Sequence, residues 1–246
     1  MKLIKILNVA TYAGKIMLEN GGETYRVEDV VCKICEAYDA EISCYATITG
    51  IMASATSKNG EHEAQIIRVK YRRINLDIVH KINDICRNCS QYKLDELSIK
   101  LKEIEIEAPY SKYLMLLAHA FAAGSFTLLF GGNFMDFVSS SIIGSKIFLF
   151  TYYFSKFEIN VFFKNCIASS ILTFFAVMYK EFNLIDNLSA NITGILMLLV
   201  PGMTLTNSVR DLIAGDYTAG IARGVEALLI ALSLATGSGF VLAILL

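Results

Sequence analysis

The chain has 246 residues, 54% of them hydrophobic, and 22 Lys and Arg balance 23 Asp and Glu for a formal charge of −1. That balance leaves no basic footprint for a nucleic acid. A mean hydropathy of +0.50 is high for a soluble chain and modest for a pure membrane protein, which suggests two unlike parts.

The N-terminus, MKLIKILNVATYAGK, has basic residues but no unbroken apolar core and no small-residue cleavage site, so it reads as a helix rather than a leader. Leu3, Ile6, Leu7, Ala10, Ala13, Met17 and Leu18 recur at helical spacing. Gly21-Gly22 ends this helix, and Thr24 is the expected cap of a second one running to about Tyr38. Residues 42–48 and 50–57 are rich in β-branched and small residues. Ser57-Lys58-Asn59-Gly60 signals a turn and 64–71 a returning strand, so 50–71 reads as a hairpin. Helices are expected near 75–89 and 93–106, and Pro109 is expected to break the chain before the membrane.

From Tyr113 onward the pattern changes. A membrane helix needs about 20 mostly apolar residues. Five such stretches follow, at 113–131, 137–155, 160–179, 187–207 and 222–246. The expectation is an α-helical multi-pass membrane protein with five transmembrane helices (110–246) and a soluble, cytoplasmic N-terminal α+β domain (1–109). Lys156, Lys164, Arg210 and Arg223 fall in the loops on the side of the N-terminus, and Lys180 alone on the other. The positive-inside rule then puts the N-terminus in the cytoplasm and the C-terminus outside. Tyr110, Tyr113, Tyr152, Tyr153 and Tyr179 stand near span ends, as interfacial aromatics do.

Several groups resist a bilayer. Asp136 starts the second span and Lys146 lies inside it; His119 lies in the first. Asn207, Arg210, Asp211 and Asp216 crowd the end of the fourth span, and Arg223 and Glu226 open the fifth. Buried charges in membranes face a cavity or a partner. For Lys146 a pathway role, a structural ion pair and a misplaced span stay open. His119 reads as a packed polar group, and Glu226 has a plain partner in Arg223 three residues earlier. Pro201-Gly202 inside the fourth span is either a simple kink or a break that lines a cavity. At the start of the second helix, Glu23 and Glu28 flank Arg26; this is either a cap with an ion pair or a regulatory contact with the membrane domain.

Cys32/Cys35 and Cys86/Cys89 form two C-x-x-C pairs, fifty residues apart, outside compact zinc-site spacing. Packing of buried thiols is favoured over a metal site or disulfides, and no metal or cofactor is expected. Nucleotide-binding loops, zinc-protease motifs, hydrolase triads and internal repeats are absent from the sequence, so it does not read as an enzyme. Two classes remain, a transporter and a membrane-anchored ligand sensor. Polar groups at membrane depth and the Pro-Gly break favour transport, because an anchor needs neither.

GGETYRVE (21–28), GGNFMD (131–136) and PGMTLTNSVRDLIAGDYTAGIAR (201–223) resemble the threonine/serine exporter family, in order and over essentially the whole chain. The resemblance implies proton-driven secondary export of small hydrophilic metabolites, threonine and serine first and a dicarboxylate such as succinate as the alternative. It implies an inner-membrane location, an oligomeric assembly and a small multi-pass partner subunit, this chain looking like the larger half of a split exporter. Asp136, Asn207, Arg210, Asp211, Asp216 and Arg223 fall in the matching motifs; Lys146 and the cysteine pairs do not. Charge and depth suggest Arg210 or Arg223 for a carboxylate, and Asp136, Asp211 or Glu226 for a coupling proton.

Overall fold

The computed structural model describes residues 2–106, 110–155, 157 and 159–245. Pro109, Lys156 and the 109/110 boundary, which carried expectations above, lie outside the described residues. The chain divides into two compact units, one of Met1–Ala108 with Met203–Gly224, the other of Pro109–Gly202 with Val225–Leu246.

The first unit contains α1 (Lys2–Glu19), α2 (Thr24–Ala37), β1 (Ala40–Thr47), β2 (Gly50–Ser57), β3 (His62–Arg68), α3 (Leu76–Arg87), a 3₁₀ turn at Cys89–Gln91 and α4 (Leu94–Ile106). The three strands form an antiparallel meander in sequence order. β3 stops at Arg68 rather than reaching 71, because residues 69–75 turn away to the end of α1, where Arg73 N–H donates to Glu19 O and Asn75 N–H to Asn20 O. α1 is the hub: it packs on α2, α3, α4, β2 and β3. All seven apolar positions read from its periodicity are buried, and Val9 and Ile16 join them. Gly14 lets α2 approach, since a Cβ there would meet Val31 Cγ2 at 2.7 Å. Leu97 and Leu101 anchor α4. Each such burial stabilises the unit by about 1.5–3 kcal/mol.

The second unit contains α5 (Lys112–Leu129), α6 (Phe134–Phe154), α7 (Val161–Glu181), α8 (Leu188–Leu196) and most of α10 (Tyr217–Leu245). Where five spans were expected, four helices among the described residues are long and apolar enough to cross a membrane: α5, α6, α7 and α10. The expected fourth span, 187–207, is interrupted. α8 ends at Leu196, residues 197–201 are non-helical, and α9 begins at Gly202 and runs to Ala214. Pro201 lacks the N–H a continuing helix needs, and a residue before proline avoids helical geometry. The C-terminus of α8 tightens into a 3₁₀-like turn, with Leu199 N–H on Leu196 O at 2.8 Å.

Small residues set the packing of this unit. A Cβ on Gly194 (α8) would sit 2.1 Å from Thr127 Oγ1 on α5, and one on Gly237 (α10) would sit 2.1 Å from Cys166 O on α7. Ser170 Oγ donates to Gly237 O at 3.0 Å, a polar clasp beside that close approach. Lys112 at the start of α5 donates to Tyr153 Oη at 2.7 Å at the end of α6. The expected tyrosine belt therefore has a cation among its rings.

One turn recurs in both units. α1, α5, α7 and α9 each end with a residue of positive φ (Gly21, Gly131, Asn183, Gly215). The next N–H reaches back five residues, as Gly22 does to Met17 O (3.0 Å) and Asp216 to Asp211 O (2.8 Å). This hydrogen-bond pattern closes the orphan carbonyls and sends the chain directly into the following helix.

Candidate functional site: a buried ion pair at the start of α2

α9 and the first turns of α10 belong to the first unit, and they bring their charges to one place, the N-terminus of α2. The Gly21-Gly22 turn leaves the first N–H groups of α2 without helical partners. Glu23 occupies the N-cap position in extended geometry, but its side chain makes no cap hydrogen bond. Thr24, expected as the cap, is instead the first helical residue. The cap comes from 187 residues away: Thr24 N–H donates to Asp211 Oδ1 at 3.2 Å. A carboxylate there also meets the positive end of the helix dipole.

The other oxygen of Asp211, Oδ2, lies 2.9 Å from Arg223 Nε, and both side chains are buried (0% and 5% exposed). Arg223 also donates through Nη2 to Gly22 O at 2.8 Å. Thr24 Oγ1 donates to Asp216 Oδ2 at 3.1 Å. Asn207 Nδ2 donates to Gly21 O at 2.9 Å. The Asn207 Oδ1 atom is buried with no hydrogen-bond partner among the described residues. Beside this core, Glu23 is held by two arginines, Arg210 Nη1 at 2.6 Å and Arg26 Nε at 3.3 Å. Arg210 is half-exposed and Glu23 buried.

Helical spacing explains the α9 contribution. Asn207, Arg210 and Asp211 lie at i, i+3 and i+4, hence on one face. α10 approaches α9 closely: a Cβ on Gly220 would sit 2.6 Å from Leu212 Cγ, and Ser208 Oγ donates to Gly220 O at 2.6 Å. Burial pushes the Asp211 carboxyl above its ordinary value; Arg223 and the Thr24 hydrogen bonds pull it back, and Asp216 pushes again, the net direction being upward. α9 is not among the four long apolar helices.

The remaining candidates fall elsewhere. Glu28 does not flank Arg26; two residues further round the helix, it accepts Ala46 N–H of β1 at 2.7 Å. Burial there raises its carboxyl. Asp136 is fully buried in the second unit and takes three backbone N–H bonds: Asn133 (2.9 Å) in a capping box, Asp186 (2.9 Å) and Asn187 (3.2 Å). It staples the α5–α6 turn to the α7–α8 turn. Lys146 is exposed on α6 and lies over Phe175 (4.2 Å) and Tyr179 (5.8 Å). No carboxylate among the described residues is within ion-pair distance of it. His119 is a packed polar group, its Nδ1 at 2.7 Å from Met115 O and its ring on Phe148. Glu226 is half-buried in the part of α10 that belongs to the second unit.

The cysteines are free thiols. Burial pushes Cys35, Cys44 and Cys86 up to about 12, and raises Cys32 and Cys89 as well. Among the described residues no group of three His, Cys, Asp or Glu is placed to hold a metal.

Apolar helices of membrane-spanning length point to a membrane protein, and a buried acid–arginine pair gives its α+β unit an ionisable polar cluster. Residues 8–245 match the family described as "Putative threonine/serine exporter", and the chain belongs to that family. It is 23% identical over 238 residues to the "Probable threonine/serine exporter" of Mycobacterium tuberculosis, covering 95% of this chain and 45% of that protein. It is 24% identical over 233 residues to the "Probable succinate transporter subunit YjjP" of Klebsiella aerogenes, covering 92% of this chain and 88% of the relative. The protein of the same description from Escherichia coli is 20% identical over 241 residues, covering 97% of this chain and 93% of the relative. The chain thus spans under half of the first relative's length and most of the other two. No solved structure matches it. The motifs 21–28 and 201–223, far apart in sequence, are the two that build the cluster. Sequence reasoning missed the carbonyls of Gly21 and Gly22 as its acceptors.

Proposed function

We propose that this chain is a subunit of a secondary exporter of small hydrophilic metabolites, in which Asp211 and Arg223 couple proton binding to substrate binding. The observation that carries the reading is the buried Asp211–Arg223 pair, whose acid is pushed toward holding a proton. When Asp211 is ionised, it holds Arg223 and the first N–H of α2. A proton on Asp211 weakens its hold on Arg223, which keeps its bond to Gly22 O, and a substrate carboxylate can then compete for the guanidinium. Arg210, half-exposed and shared with Glu23, is a second cation for the same ligand. One carboxylate and one amine, as in threonine or serine, would use an arginine and an acid; a dicarboxylate would use both arginines.

The names of the relatives support both substrate classes. The word "subunit" in two of them supports an assembly of more than one subunit; the proposed partner is a small multi-pass protein. We place the N-terminus in the cytoplasm and the C-terminus outside, with the interrupted 187–207 segment as a fifth crossing; the loop charges support this. Reporters fused at the two ends test it, and equal activity on one side would overturn the five-crossing count.

The function is tested by efflux of labelled threonine, serine and succinate from cells with and without this chain and its partner. Export of one substrate that depends on the chain, and flattens with pH in Asp211→Asn at equal protein level, supports the reading. Wild-type efflux and pH dependence in that variant would move coupling to another acid.

A further inference from the structure

Apart from the α9–α10 cluster, α2 and α3 wall an open polar cleft of about 330 Å³. Arg26, Asp29 and Lys33 face it from α2, at spacings of three and four residues that put them on one side of that helix. Asn83 and Arg87 face it from α3, and the Tyr25 ring closes one wall. Three cations thus line the cleft with one carboxylate, in a chain whose overall charge is −1.

The cations are weakly committed. Lys33 pairs with Asp29 at 2.6 Å, but both side chains are about half-exposed (49% and 51%), so water screens the pair. Arg26 is divided between Glu23 at 3.3 Å and the Tyr25 hydroxyl at 3.1 Å. Among the described residues, no carboxylate lies within ion-pair distance of Arg87.

We propose that this cleft binds a small multivalent oxyanion, a metabolite bearing two or more carboxylate or phosphate groups. Seven residues separate Arg26 from Lys33, a rise of roughly 10 Å along α2. That separation suits a molecule with charges at both ends better than a single halide. The arginines offer planar two-point recognition of carboxylate or phosphate. Occupancy has a route to the cluster, because Arg26 shares Glu23 with Arg210. An anion that draws Arg26 away leaves Glu23 to Arg210 alone. This regulatory consequence rests on the proposed transport function; the binding itself does not.

The test is calorimetric titration of the purified full-length protein in detergent with citrate and with pyrophosphate, at constant ionic strength, with chloride as control. Saturable binding of at least one probe is expected. Arg87→Gln, at an exposed position, should weaken it about tenfold or more, the loss of one charge-assisted contact. Asp29→Asn should strengthen it by up to about fivefold, because Lys33 is released. Citrate alone binding assigns a polycarboxylate, pyrophosphate alone a phosphorylated ligand, and both the shared chemistry. No saturable binding of either probe, or equal affinity in wild type and Arg87→Gln, would overturn the proposal. Binding persists even if efflux assays show no export, so the two readings fail separately.

Discussion

Replacing Arg223 by Gln should be far more damaging than its position near a helix start suggests. The guanidinium neutralises an acid that is 0% exposed, at 2.9 Å, and also satisfies Gly22 O. Removing one member of a buried pair typically costs about 3–5 kcal/mol, because the other charge stays behind uncompensated. At 2–4 °C per kcal/mol for a chain of this size, the midpoint of thermal unfolding should fall by roughly 6–20 °C. Asp211 has one escape, to take up a proton. A carboxyl whose folded value is raised contributes stability below its unfolded value and loses it as pH rises. The deficit of the variant should therefore shrink on acidification, with a slope of at most about 1.4 kcal/mol per pH unit over the range in which Asp211 takes up its proton. The double variant Arg223→Gln/Asp211→Asn should recover about 2–3 kcal/mol of the loss. Circular dichroism melts of the purified protein in detergent across a series of pH values measure all of this. A loss under about 1 kcal/mol, independent of pH and additive with Asp211→Asn, would refute the buried-pair reasoning.

Three further outcomes are expected. Arg210→Gln should change stability by no more than about 1 kcal/mol, since its side chain is 51% exposed, while lowering efflux strongly; melts and labelled-substrate efflux on the same preparations check it. Gly194→Ala should cost at least about 1–3 kcal/mol, because its Cβ would meet Thr127 Oγ1 at 2.1 Å and Thr127 N at 2.6 Å. Gly202→Ala, with nothing within 4 Å, should be well tolerated, and monodisperse yield from size exclusion separates the two. The thiols of Cys35, Cys44 and Cys86, raised from 9.0 to about 12, should hold about a thousandfold less thiolate than ordinary ones near neutral pH. Iodoacetamide labelling at pH 7.5 should be correspondingly slow until the protein is unfolded. By the same sign, these thiols contribute stability fully below pH 9, and it should fade as pH rises from 9 towards 12.

Local physics made much of the architecture legible. Helical periodicity marked the α1 positions that became its core, and the β-branched runs with Lys58-Asn59-Gly60 marked the strands and their turn. Apolar length marked the four long helices, and Pro201-Gly202 marked the break between α8 and α9. These features depend on residues a few positions apart, so composition and spacing suffice to find them. The fate of the charges depended on partners far away in the chain. Asp136 and Asp211 look alike in sequence, each an acid near a helix end. Asp136 is consumed by three backbone N–H groups, whereas Asp211 is left with one backbone N–H and an arginine. Thr24 looked like a cap and is capped instead, by an acid 187 residues later. Which carboxylate becomes a staple and which one faces a buried arginine was decided only when α9 and α10 met the N-terminus of α2. A hydrogen bond or ion pair acts over about 3 Å, and only the folded chain brings such distant groups that close.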